Sequence, residues 1–127
     1  MLFYKVGIVL FCWVIEICLV YAIVWATRIK KDVRAKPIHL RYTKLAMILM
    51  GISILIIEGF VRLNGGMHST YLAMVHIPLA GLSLVTGLTN LKVDGERHAR
   101  LHGVLGYTCV TSYSIALILG MILLKQV

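Results

Sequence analysis

Histidine and glutamate residues inside long apolar segments are the features of this sequence that could do chemistry. Glu16, Glu58 and His76 each lie within an apolar run. An ionisable side chain is costly there and marks a candidate functional site. His98 and His102 are four residues apart, so on a helix they share one face.

Three kinds of chemistry could use such residues. The first is ligation of a haem b by two histidines from different helices of a bundle. The second is a proton or quinol site formed by Glu58, His76 and Tyr71, because histidine titrates near neutral pH and can relay protons. The third is a zinc or copper site on His98 and His102, whose spacing suits these metals.

The composition is that of a membrane protein. The chain has 127 residues, of which 60% are apolar and 14% are charged, and its mean hydropathy is +0.91. Soluble domains average about 45–50% apolar and about 25% charged residues. The net charge of +8 does not indicate a nucleic-acid partner, because the basic residues stand between apolar runs rather than on a polar domain.

Four apolar segments must position the candidate residues. Each is close to the ~20 residues that cross a bilayer as a helix, and none shows the alternation of a barrel strand. The sequence therefore predicts an all-α integral membrane protein, a single four-span domain over residues 1–127 folded as an up-down four-helix bundle. The predicted spans are about 3–26, 45–61, 71–91 and 101–124.

The basic residues predict the orientation of the bundle. Ten of the thirteen lie in or beside the first and third connections, and only Lys5, Arg62 and Lys125 lie at the other end. The positive-inside bias places those two connections in the cytoplasm and both termini outside. The same charges are suited to contact with lipid head groups.

Stripes of small or polar residues indicate which helix faces turn inward. They are His76, Ala80, Ser83 and Gly87 on the third span, His98, His102, Gly106, Cys109 and Tyr113 on the fourth, and Gly51, Leu55, Glu58 and Arg62 on the second. We expect the three stripes to line a common interior. At 1.5 Å per residue, Glu58 and His76 share an outer layer, and His102 lies roughly 20 Å away in a cytoplasmic layer with His39 and His98.

Most of these polar groups also have a structural interpretation. Glu58 and Arg62 can form an ion pair at i, i+4. Glu16 can bond to a neighbouring helix or meet a partner subunit. His39 can be part of a loop after Pro37, and His68 can be an ordinary outer-loop residue.

The start of the fourth span resembles a known family. The stretch RLHGVLGY at residues 100–107 is similar to the Leu-His-x-x-Leu-Gly helix start of the cytochrome b561 family, transmembrane electron carriers with two b-type haems. His76 with Gly87 resembles the preceding helix, and Met47 to Arg62 resembles the helix that opens the family's haem-binding core. The resemblance covers roughly residues 43–120.

The resemblance implies His102 as a haem ligand in the cytoplasmic layer and His76 as one in the outer layer. The family's ligand on the second helix falls at Thr43, which cannot replace histidine. His39 lies one turn earlier and could substitute, although it would point off the Gly51–Glu58 stripe. His102 with His39 is therefore the one complete pair that the chain offers.

His76 has no such partner, because the family's later helix has no counterpart here. A second ligand would come from Glu58, from His68 or from another chain. The sequences VHIPLA and ERHARL also resemble a small four-helix membrane family linked to cytochrome oxidase assembly. That resemblance implies His76 and His98; we favour His102 because it is deeper in its span.

The sequence thus predicts a small b-type haem protein that passes electrons within a respiratory complex, with Glu58 managing a proton. The alternative is a non-redox accessory or assembly subunit of such a complex. Expected partners are membrane lipid, other membrane subunits or a second copy of the chain, and a quinone. The expected location is the bacterial inner (plasma) membrane.

Overall fold

Four long helices account for almost all of the fold. A computed structural model describes residues 2–65 and 70–126; the predicted outer-loop position of His68 lies outside these residues. The helices are α1 (Leu2–Ala26), α2 (Ala35–Leu63), α3 (Thr70–Lys92) and α4 (Ala99–Gln126). Each is long and apolar enough to cross a membrane, which confirms an all-α membrane bundle.

Helix α2 begins ten residues before the predicted span. Pro37 is its third residue and lies in the first turn, where a missing N–H costs nothing. Just before it, the backbone N–H of Arg34 donates to the Asp32 carboxylate at 2.9 Å, which lowers the pKa of Asp32. The predicted span is shorter than the helix because it was drawn from hydropathy. Lys and Arg are good helix formers, so the helix continues beyond the apolar segment.

The chain folds as two antiparallel helical hairpins, α1–α2 and α3–α4. The helices of each hairpin pack along their lengths, and the two hairpins meet more sparsely along a seam, α1 against α4 and α2 against α3. An ion pair between Lys36 and Glu96 joins the first turn of α2, just after the first connection, to the third connection. These connections therefore lie at one end of the bundle, which we call the basic end; the opposite end is called the terminal end.

Gly87 allows the hairpins to approach each other closely. It is buried on α3, and a Cβ placed there would collide with the sulfur of Met47 on α2 and lie 3.0 Å from the Cys109 sulfur on α4. Ser83, one turn earlier, is completely buried near Met50. The seam is therefore tightest at mid-height, where small residues of α3 receive large ones of α2.

Two of the three predicted inward stripes are correct in most of their length. On α3, Ser83 and Gly87 are buried; on α4, Cys109 and Tyr113 are buried. The stripe predicted on α2 is wrong in most of its length: Leu55 is 75% exposed, the side chain of Arg62 is exposed as well, and only Glu58 also borders the cavity at the terminal end described below.

The inward face of α2 is formed by Met47, Met50 and Ser53 instead. Glu58 and Arg62 need no interior partner, because they pair with each other at 2.6 Å on the helix surface. Glu58 and Arg62 therefore misled the prediction of the inward face of α2, because each charge is paired on the same helix.

Glu16 provides a polar tie between α1 and α4. The Ser114 hydroxyl donates to its Oε1 at 2.6 Å, while its Oε2 is buried without a partner among the described residues. This agrees with the predicted bond to a neighbouring helix.

We expect Ser114→Ala to destabilise the bundle by about 1–3 kcal/mol, because a buried acceptor loses its donor. Glu16→Leu combined with Ser114→Ala should recover most of the loss, since both polar groups are then gone. Unfolding by a denaturing detergent measures the change. Thr111→Ala, on the exposed face of α4, is the control and should have little effect. If Ser114→Ala and Thr111→Ala lost the same amount of stability, the prediction would be contradicted.

Candidate histidine sites at the two ends of the bundle

His39 lies in the second turn of α2 and faces into the bundle. Its Nδ1 is 2.8 Å from the backbone oxygen of Ala22 on α1. A carbonyl can only accept, so Nδ1 must carry the proton, and the neutral ring presents its lone pair at Nε2. Thr43, at the position of the family's ligand, donates its hydroxyl to the His39 backbone oxygen and is part of the helix.

His102 on α4 faces His39 across the seam. The two ring centroids are 5.9 Å apart and the ring planes are inclined by 70°. A Cβ placed on Gly95 would lie 3.3 Å from the His102 ring, so the α3–α4 connection passes close to the imidazole. Among the described residues, Nδ1 of His102 is buried and has no hydrogen-bond partner.

This pair fits two ligands of one metal ion. At metal–nitrogen bonds of about 2 Å, two imidazoles on opposite sides of an ion have centroids about 6 Å apart. The bond from His39 to Ala22 is the kind of outer contact that orients a metal-binding histidine. The described residues hold no cluster of three or more His, Cys, Asp or Glu side chains.

His98 does not join this pair. Its side chain is exposed, although it is one turn from His102 on the same helix. The predicted zinc or copper site on His98 and His102 therefore has no support from the fold. The reason is that α4 begins only at Ala99, so His98 lies at the edge of the connection.

Asn90 is a candidate that the sequence interpretation missed. It is buried on α3, and its Oδ1 has no partner within the described part of the chain. Its amide nitrogen would lie 3.3 Å from a Cβ on Gly106. Because Gly106 is one turn after His102 on α4, Asn90 lies about one turn from His102, towards the terminal end. It could have been found, because it continues the stripe of Ser83 and Gly87 by three residues.

His76 belongs to the terminal end of the bundle. Its Nδ1 is 2.9 Å from the backbone oxygen of Ala116 on α4. Gly120 makes room for the ring, since a Cβ there would lie 3.0 Å from the His76 Cε1. As with His39, the carbonyl partner requires a proton on Nδ1 and leaves the lone pair at Nε2.

A cavity of about 300 Å³ adjoins His76. It is lined by residues from all four helices, and Glu58 and His76 are both among them, as their predicted common layer requires. Tyr71, the third predicted member of this site, is wrong: its side chain is 87% exposed and does not line the cavity.

The histidines therefore form two separate sites, His39 with His102 at the basic end and His76 with Glu58 at the terminal end. Helix rise puts about 20 Å between the two levels. The chain matches no protein-family model, no curated protein and no solved structure. Its function must be argued from these two sites.

Proposed function

We propose that this protein is a membrane-embedded haem b protein that transfers electrons, and that His39 and His102 would hold its iron. The proposal rests on one observation: the rings of His39 and His102 come from different hairpins, and their centroids are 5.9 Å apart. A haem bound there supplies one-electron oxidation and reduction at iron.

The chain's own groups would hold and orient the iron ligands. The backbone oxygen of Ala22 accepts a hydrogen bond from His39 Nδ1. This bond fixes the ring and leaves Nε2 as the atom that could bind a metal. The unpaired buried nitrogen of His102 also favours a bound group, because buried polar atoms are normally paired with protein, water or an ion. Gly95 keeps a side chain away from the His102 ring, since a Cβ there would lie 3.3 Å from it.

The proposed setting is a respiratory complex of the bacterial inner membrane. Four helices that are long and apolar enough to cross a membrane suit a subunit that works beside others. Many large apolar side chains on the outer surface, including Phe3, Leu55 and Val85, are available to lipid or to partner subunits.

A reduced-minus-oxidised visible spectrum of the protein, purified from its native membrane with its partners, tests the proposal. We expect a sharp b-type α band. A flat spectrum from fully assembled material would contradict electron transfer through haem.

The alternative function, a non-redox accessory or assembly subunit, has its own supporting observation. His39 and His76 each bond to a backbone oxygen of the other helix in their own hairpin, which is a sufficient structural role for both. In that case the protein is colourless and co-purifies with a larger complex in stoichiometric amounts.

A further inference from the structure

The cavity at the terminal end has the polarity of a site for an apolar molecule with hydroxyl groups. Its wall is mostly aliphatic, and the carboxylate and imidazole side chains that line it are those of Glu58 and His76. The three hydroxyl residues of the wall already donate to backbone oxygens: Tyr113 to Cys12, Ser53 to Met50 and Ser83 to Ala80.

His76 and Glu58 both line the cavity and both have acceptor atoms. The proton of the neutral His76 ring is used in the bond to Ala116, so Nε2 offers a lone pair. Glu58 Oε1 accepts a hydrogen bond from Arg62 Nε at 2.6 Å, and a carboxylate in such an ion pair only accepts. A ligand that satisfies these atoms must bring hydrogen-bond donors.

The size and position of the cavity narrow the ligand further. About 300 Å³ is at the lower end of the range for small-molecule sites and suits one ring system rather than a whole lipid. The helices that line it are membrane-crossing, so a ligand reaches it from the bilayer. Gly81 and Ala80 form a small-residue section of its wall on α3, against which a flat ring can lie.

We propose that this cavity binds the head group of a membrane-soluble aromatic diol, a quinol, through hydrogen bonds from its hydroxyl groups to His76 and Glu58. The corresponding quinone has carbonyl oxygens, which only accept, and so pairs poorly with the same two atoms. The site therefore distinguishes the reduced from the oxidised form. This inference does not require haem, because His76 is about 20 Å from the level of His102.

The test is titration calorimetry on the full chain in lipid nanodiscs at pH 8, where an ordinary histidine is neutral. The probes are decylubiquinol, kept reduced under anaerobic conditions, and decylubiquinone, with protein-free nanodiscs as the blank. We expect saturable quinol binding that is at least about tenfold tighter than quinone binding, the difference made by one or two buried hydrogen bonds. Equal affinities, or no saturable binding above the blank, would overturn the proposal.

Substitutions at His76 and Glu58 test whether these two side chains bind the quinol. His76→Leu and Glu58→Gln should each weaken quinol binding by about tenfold. Glu96→Gln is the matched control: it makes the same substitution in an exposed, ion-paired glutamate at the basic end that does not line the cavity, so its affinity should stay within about twofold of the wild type. If His76→Leu fails to fold, Glu58→Gln decides the test, because its side chain is 56% exposed and tolerates change. Unchanged affinity in a folded His76→Leu or Glu58→Gln variant would refute the assignment.

Discussion

Replacing His102 by alanine should remove the haem signal while leaving the bundle folded. The substitution deletes one of the two facing imidazoles at the basic end and leaves His39 with only its bond to Ala22. We expect the b-type α band to fall by about tenfold or more per mole of protein. The measurement is the reduced-minus-oxidised spectrum beside a protein assay.

His98→Ala is the matched control for this prediction. It removes the same side chain one turn away, but from an exposed position. Its spectrum should equal that of the wild type. His39→Ala should behave like His102→Ala, because both ligands bind the same iron. An unchanged band in His102→Ala, or a band lost only in His98→Ala, would show that the ligands are assigned wrongly.

Substituting Gly87 by alanine should weaken the seam between the two hairpins. The added methyl group would collide with the Met47 sulfur and press on the Cys109 sulfur. The end of the flexible Met47 side chain must move, and alanine's better helix propensity offsets part of the cost, so we expect a net loss of about 1 kcal/mol in the free energy of unfolding. Titration with a denaturing detergent gives the value. Gly81→Ala meets no atom within 4 Å and should be neutral or slightly stabilising.

The cause can be isolated with a second change. In a Met47→Ala background the space beside Gly87 is open, so Gly87→Ala should then cost less than about 0.5 kcal/mol. A penalty of the same size in both backgrounds would mean that the collision with Met47 is not its source.

The architecture could be predicted from the sequence because hydropathy and length alone define membrane-crossing helices. The inward stripes of α3 and α4 could also be predicted, since small residues are needed where helices approach closely. The inward face of α2 could not be predicted in this way. Glu58 and Arg62 indicated a polar interior face, but an i, i+4 ion pair satisfies both charges on the surface.

The pairing of His39 with His102 was only partly within reach of the sequence. Their common level followed from the helix boundaries, but the direction of His39 depends on where α2 begins. Helix α2 extends back to Ala35, and this extension turns His39 towards Ala22 and the seam rather than into a loop. The position of Asn90 on the inward stripe could have been predicted, but the lack of a partner for its Oδ1 among the described residues depends on the packing of α3 against α4.

The two-hairpin construction sets an order of biogenesis. Each hairpin carries its own internal tie, from His39 to Ala22 in the first and from His76 to Ala116 in the second, so each can insert into the membrane as a unit during synthesis. The facing pair of His39 and His102 exists only once the second hairpin has joined the first. Any group held by both rings is therefore acquired after translation of the whole bundle, and halves expressed as separate polypeptides should recover it on reassociation.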